Sequence, residues 1–330
     1  MKKITNKFLL CIILIGISFF SVGCSNEDPM AEEGYVNSEL KADNLYEEAQ
    51  KLAEETLLGN STCVITRDMS NTEDTVIKAP VALLINRTDN ICMYMKNPFK
   101  KMYPASLTKV VTALGAYNLS KDMKNETVTV SKQAASITES GAKLCGFKEG
   151  DQIKLYDLIV TMLVYSGNDA AMSVAEHILG SENDFCKKVT DISKTIGATQ
   201  SNFVNGHGLH NDNHYTTAYD MYLIFDRFLE YKDSYTVAGE DEFVLEYTSK
   251  DGTANKKTFD ATNKYLIGSV KAPDGVTVLA GKTGTTNKAG NCLILVSKGP
   301  DDKEYISVVL NAPSSTQLYQ DMTNLLSYIK

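Results

Sequence analysis

Ser106-Leu107-Thr108-Lys109 places a hydroxyl and an amine three residues apart, just after Pro104, a residue type suited to the first turn of a helix. A serine hydroxyl is a poor nucleophile at neutral pH and needs a base within hydrogen-bond reach. On a helix, positions i and i+3 share one face with Cβ atoms about 5 to 6 Å apart, so Lys109 could serve Ser106 if the helix starts near Pro104. A lysine of ordinary pKa, about 10.4, is protonated and cannot take that proton; burial and nearby positive charge would free it. The spacing alone selects nothing, because Ser-x-x-Lys recurs at Ser38 to Lys41, Ser140 to Lys143 and Ser327 to Lys330.

Two further stretches carry complementary groups. After the apolar run DLIVTMLVY comes Ser166-Gly167-Asn168, a hydroxyl and an amide expected to stand exposed at a break between helices. Farther on, VLAGKTGTT carries the chain's single Lys-Thr-Gly, Lys282-Thr283-Gly284, followed by Thr285. Lys282 would add a cation that depresses the pKa of Lys109 and orients Ser166, while Asn168 would hold a substrate amide. Gly284 would let an extended substrate backbone lie against an edge strand and pair with it. A tetrahedral intermediate needs two backbone N–H donors for its oxyanion, and those of Ser106 and Thr285 are expected to supply them.

These groups must be positioned by elements the sequence also predicts. VALLIN and ICMYM, between Val81 and Met95, read as two strands around a polar four-residue turn. VTVLAGKT, NCLILVSK and EYISVVLNA read as three more, the last two joined at Gly299-Pro300-Asp301-Asp302, and TQLYQDMTNLLSYIK as a closing helix. Strands at both ends enclose a mostly helical middle from about 104 to 230. The expected architecture is one antiparallel sheet of about five strands with helices on its faces, a mixed α/β chain of α+β type. Leu40, Leu45, Ala49, Leu52 and Leu57 fall at near-helical spacing and predict an amphipathic helix ahead of the first strand.

At 330 residues the chain is long enough for a sizeable core. Lys2, Lys3 and Lys7 precede an apolar run from Phe8 to Phe20, 13 residues against the roughly 20 of a bilayer span, so a cleaved secretory signal is expected over 1–24. The stretch SVGC resembles the end of a bacterial lipoprotein signal, which would make Cys24 a lipidated first residue, although Ser21 stands where leucine is usual; the alternative is an uncleaved N-terminal anchor. Either places the remainder outside the cytoplasm and tethered to the membrane. Residues 25–37, polar and acidic, read as a spacer, with a single domain expected over 38–330. Loss of three lysines with the signal leaves 30 basic against 41 acidic side chains, a balance of −11, which argues against nucleic acid as a partner. Cys63, Cys92, Cys145, Cys186 and Cys292 are odd in number and form no Cys-x-x-Cys, so buried thiols are expected, with Cys63 to Cys92 the one pairing open.

Ser-x-x-Lys, Ser-x-Asn and Lys-Thr-Gly in this order are the set used by active-site serine enzymes that process penicillins and acyl-D-alanyl peptides. With YPASLTKVVTAL, YSGNDAAMSVAEHILGS, IGATQSNFVNGHGLHNDNHYTTAYD and AGKTGTTNKAGNCLI, the chain resembles the D-alanyl-D-alanine carboxypeptidases among the low-molecular-mass penicillin-binding proteins, serine peptidases of the S11 type, over about residues 78–312. The resemblance implies the penicillin-binding-protein and β-lactamase-like fold with an inserted helical subdomain. It also implies a reaction: Ser106, with Lys109 as base and Ser166 as proton shuttle, cleaves the terminal D-alanine from peptidoglycan stem pentapeptides through an acyl-enzyme and is acylated by β-lactams, with no metal or organic cofactor. Many members carry an arginine before the Lys-Thr-Gly strand for the substrate carboxylate. Here the region reads Thr262-Asn263-Lys264, leaving that task to Thr285 and Lys282, with Lys264 a further candidate, while Thr283 and Gly284 are expected to contact substrate beside them. Better-known members append a C-terminal β domain and anchoring helix, and neither is expected here.

Other chemistries compete. His207, His210 and His214 could suggest zinc, but their spacing fits no zinc motif, and a loop held by side-chain hydrogen bonds is expected. Rapid β-lactam hydrolysis would need a glutamate-held water, and the nearest match, at Glu176, is expected on a packed helix. A wall-tethered peptide sensor that is acylated without turnover is the third reading.

Overall fold

The structure is a computed structural model that describes residues 62–70 and 74–330. The expected signal, Cys24, the spacer and the helix over 40–57 lie outside the described residues.

The central sheet has the order β2-β1-β9-β8-β7 and is antiparallel throughout, built from both ends of the chain as its apolar runs predict. β1 (Val81–Asn86) and β2 (Ile91–Lys96) form the predicted hairpin, while β7 (Thr277–Thr286), β8 (Gly290–Lys298) and β9 (Glu304–Ala312) supply the rest. Both faces of β1, β8 and β9 are covered, which is why they read as continuous apolar runs instead of alternating ones. Val81, Leu83, Ile85, Ile294, Val296, Ile306 and Val308 face the helical layer, whereas Ala82, Leu84, Leu293, Leu295 and Val309 pack with Leu318, Met322 and Leu325 of the last helix.

The helical layer consists of α1 (Thr108–Leu119), α2 (Leu155–Val164), α3 (Asn168–Leu179), α4 (Glu182–Thr195), α5 (Ala218–Leu229) and the short α6 (Ser234–Gly239), with α7 (Ser315–Leu326) on the opposite face of the sheet. α1 is buried on every side from Thr108 to Ala116, as its lack of a polar stripe requires of a helix at the centre of a layer. Ser181, Thr217 and Ser314 cap α4, α5 and α7, their hydroxyls accepting from the N–H groups of Asp184, Asp220 and Gln317.

A second antiparallel sheet, β3 (Thr127–Thr129), β4 (Gln152–Lys154), β5 (Glu242–Thr248) and β6 (Ala254–Asp260), was not anticipated from the sequence. β3 and β4 are three residues long, and β5 and β6 bury only Leu245 and Phe259, so none carries the apolar run that signals a core strand. The five described cysteines are free thiols, all buried except the half-buried Cys92, and the Cys63 thiol lies against the Cys92 backbone.

Candidate active site

The chain from Tyr103 reaches α1 through a single 3-10 turn, Ala105–Leu107, that presents Ser106 at the helix entrance. Ala105 sits at φ +49°, a left-handed conformation costly for a residue with a Cβ. Two glycines allow the surroundings to hold it. Gly208, itself at φ +88°, lies so close that a Cβ there would stand 1.9 Å from the Ala105 carbonyl oxygen. A Cβ on Gly284 would stand 2.9 Å from Ser106 N and 3.0 Å from Pro104 O, so β7 lies flush against the nucleophile turn. Gly284 was expected to serve approach by substrate; its first use is approach by the protein's own backbone.

Lys109 is fully buried, with Nζ 3.0 Å from Ser106 Oγ, 2.7 Å from Asn168 Oδ1 and 2.7 Å from the carbonyl oxygen of His207. A neutral amine has two N–H bonds and one lone pair. The two carbonyl oxygens can only accept, so they take both N–H bonds and leave the lone pair for the Ser106 hydroxyl, the one partner able to donate. Burial, with the Lys143 ammonium adding to it and Cys145 and Asp169 opposing, brings the Lys109 amine down to about 7.

Ser166 stands between α2 and α3 at φ +74°, and Asn168 opens α3. Both were expected to be exposed and are instead buried, because the loop from Gly141 to Phe147 folds over them. Asn168 N–H donates to the Lys143 carbonyl at 2.7 Å, and the Asp169 carboxylate accepts from the N–H groups of Cys145, Gly146 and Phe147 at 2.9, 2.9 and 3.3 Å. Lys257 of β6 caps the same loop through the carbonyls of Cys145 and Gly146.

Lys282 Nζ donates to Ser166 Oγ and to the Thr283 carbonyl, each at 2.9 Å. It is 1% exposed and held well below the usual lysine range by burial first and then by the neighbouring amines of Lys109 and Lys143, whose charge opposes its own. Lys109 and Lys282 act on one another as expected, with Lys143 a further cation that bears on both, and the Lys282 amine is engaged by Ser166, which lines the cavity in front of Ser106.

That cavity, of about 310 Å³, is lined by Ser106, Lys143, Ser166, Asn168, Thr262, Lys264, Thr283, Gly284, Thr285 and the α7 residues Ser315 and Tyr319, among others. Among the described residues no Asp or Glu lines it, although the chain as a whole carries net charge −8. Thr262 and Thr283 share a 2.6 Å hydroxyl contact, Thr285 donates to Asn291 Oδ1 at 3.3 Å, and Lys264 Nζ reaches Ser315 Oγ at 3.1 Å. Sequence reasoning missed Lys143, Asp169, the His207 carbonyl and Ser315. Lys143 had a signal, as the lysine of another Ser-x-x-Lys match, but nothing in the sequence pointed it at this cleft.

The three histidines pack their own loop. His214 bridges Thr108 Oγ1 at 2.7 Å and the Val204 N–H at 3.0 Å, His207 Nδ1 accepts from Leu209 N–H, and His210 meets the Tyr103 ring edge-on. Burial pushes His207 and His214 down to about 3, so both are neutral hydrogen-bonding groups. Glu176 lies outside the cavity, accepting from Ser131 Oγ at 2.6 Å.

Residues 68–314 match the sequence profile of a family, Peptidase S11, described as D-alanyl-D-alanine carboxypeptidase. Similar curated proteins include the D-alanyl-D-alanine carboxypeptidases DacF of Bacillus subtilis, 30% identical over 79% of this chain and 64% of the relative, and DacC of Escherichia coli, 31% identical over 70% and 56%. The chain thus spans between about half and two thirds of these relatives' length. Among solved structures, DacD from Francisella tularensis superposes with a TM-score of 0.66 at 26% identity, covering 80% of this chain and 72% of that one. The Streptomyces K15 DD-transpeptidase superposes with a TM-score of 0.70 at 22% identity, covering 78% and 98%, which is a likeness of fold.

Proposed function

The chain belongs to the D-alanyl-D-alanine carboxypeptidase family of serine peptidases, and from that premise we propose that it removes the terminal D-alanine of peptidoglycan stem pentapeptides through an acyl-enzyme on Ser106. The observation that carries this reading is the fully buried Lys109 amine, with Nζ 3.0 Å from Ser106 Oγ and two carbonyl oxygens as its other partners, so that in its neutral form the lone pair is left for Ser106. Ser106 Oγ attacks the penultimate D-alanine carbonyl as its proton passes to Lys109. The oxyanion is received by the N–H groups of Ser106 and Thr285. The departing D-alanine nitrogen takes a proton relayed through Ser166, which Lys282 orients, and water then hydrolyses the ester. Asn168 holds the substrate amide, Gly284 seats its backbone along edge strand β7, and Thr283, Thr285 and Lys264 hold its terminal carboxylate. The same machinery is acylated by β-lactams. Outside the described residues, Cys24 would anchor the enzyme by lipid on the outer face of a bacterial membrane, and Cys24→Ala would then free it from the membrane fraction.

The test is release of D-alanine from diacetyl-Lys-D-Ala-D-Ala, measured with and without an added amine acceptor and with a chelator. Release that survives chelation is expected. Intact penicillin labelling of Ser106 without any release would replace the enzyme with a sensor, and loss of release on chelation would point to a metal enzyme.

A further inference from the structure

Lys143 belongs to none of the three motifs, yet it stands in the cleft. Its loop is fixed from two sides, by the Asp169 carboxylate and by Lys257, and its own carbonyl accepts the Asn168 N–H, so its backbone position is tied to the catalytic stretch 166–168. The side chain lines the cavity with its Nζ 3.8 Å from the centre of the Tyr165 ring. Among the described residues no carboxylate lies within ion-pair distance of it; the groups that act on it through space are the Cys145 thiol and Asp260, exposed at the end of β6. An exposed cation resting on an aromatic face, without a carboxylate partner, in a cleft that no Asp or Glu lines among the described residues, is a site arranged for an anion from outside.

We propose that Lys143 is a specificity-determining residue that binds a second carboxylate, one carried on the retained part of the peptide, so that the cleft selects substrates anionic at two points. The inference rests on the peptidase reading, in which Lys264, on the β6 to β7 connection and beside Ser315 of α7, faces the terminal carboxylate. Lys143 stands on a different wall, beside Ser166 and Asn168.

The experiment uses two peptides ending in D-Ala-D-Ala, matched except that the residue before them carries either a side-chain carboxylate or its primary amide. Affinities are measured on the full chain with Ser106→Ala, so that binding is read without turnover. The carboxylate peptide is expected to bind several-fold more tightly at low salt, with the ratio falling as salt rises. Adding Lys143→Met should bring the ratio near one, Lys143→Arg should keep it, and Lys143→Glu should invert it. Equal affinities with Lys143 in place, binding of neither peptide, or a preference that survives Lys143→Met and Lys143→Glu overturns the proposal. D-alanine release from the amide peptide by the unaltered chain tests the peptidase reading separately, since that reaction does not depend on the second carboxylate.

Discussion

Lys109 decides the chemistry at the scale of single residues. With its amine brought to about 7, acylation of Ser106 should rise with pH as the ammonium loses its proton and fall away below about pH 7. The direction follows because only the neutral amine can accept from the serine. Penicillin acylation followed by stopped-flow across pH 5 to 9 should show this limb, and a rate flat through neutrality would remove Lys109 as base. Arginine stays protonated, so Lys109→Arg should lose acylation by about a thousandfold or more while the thermal transition persists. For Ser166→Ala, slower acylation and slower deacylation are both expected, about 10² or more on proton-transfer grounds, read from burst and steady-state phases of the same penicillin reaction. Sequence spacing put Ser106 and Lys109 on one face. It did not show that Lys282 turns inward to Ser166, because which acceptor captures an amine depends on which carbonyls and hydroxyls the fold brings near.

Among the elements, the nucleophile turn depends on neighbours far away in the chain. The 3-10 turn keeps Ala105 left-handed only because the loop at Gly208 and strand β7 at Gly284 close on it without side chains. Gly208→Ala adds a Cβ where φ is +88° and where the Ala105 carbonyl already stands, so the turn must move. We expect a loss of about 2 kcal/mol or more by denaturant titration, with penicillin acylation of the remaining folded protein slowed at least tenfold; unchanged kinetics would show that the turn does not set the position of Ser106. The β5 to β6 hairpin escaped sequence reading for a related reason. Its strands are largely exposed, and their value lies in presenting Lys257 to the Cys145 and Gly146 carbonyls and in carrying the chain on to Thr262.

On the scale of the whole domain, the sheet ties the start of the chain's described part to its end. The buried Asp321 carboxylate of α7 accepts from the N–H groups of Lys78 and Ala79 at 3.0 and 2.8 Å, fixing the entry to β1 from the opposite terminus. Asp321→Ala would take the acceptor from these two backbone donors and from the Gln317 amide, 2.8 Å from Oδ1, and should cost about 1 to 3 kcal/mol, seen as a lower melting temperature, with the acylation rate of the folded enzyme unchanged. Across the sheet, Arg87 after β1 joins Asp226 of α5 and Glu304 of β9 at 2.8 and 2.7 Å, linking the helical layer to the strands.

The five-stranded sheet, the closing helix and the Ser106, Ser166 and Lys282 motifs were legible in the sequence itself. Apolar runs, turn residues and three-residue spacing are local patterns, and burying those runs leaves few arrangements. The direction of each lysine was decided only by the tertiary structure. Lys109, Lys282 and Lys143 are alike as residue types, yet one faces the nucleophile Ser106, one is held by Ser166 and the Thr283 carbonyl, and one lines the cleft beside the Tyr165 ring. What separates them is the set of carbonyls, hydroxyls and aromatic faces around each amine, supplied by segments up to 116 residues apart in the chain.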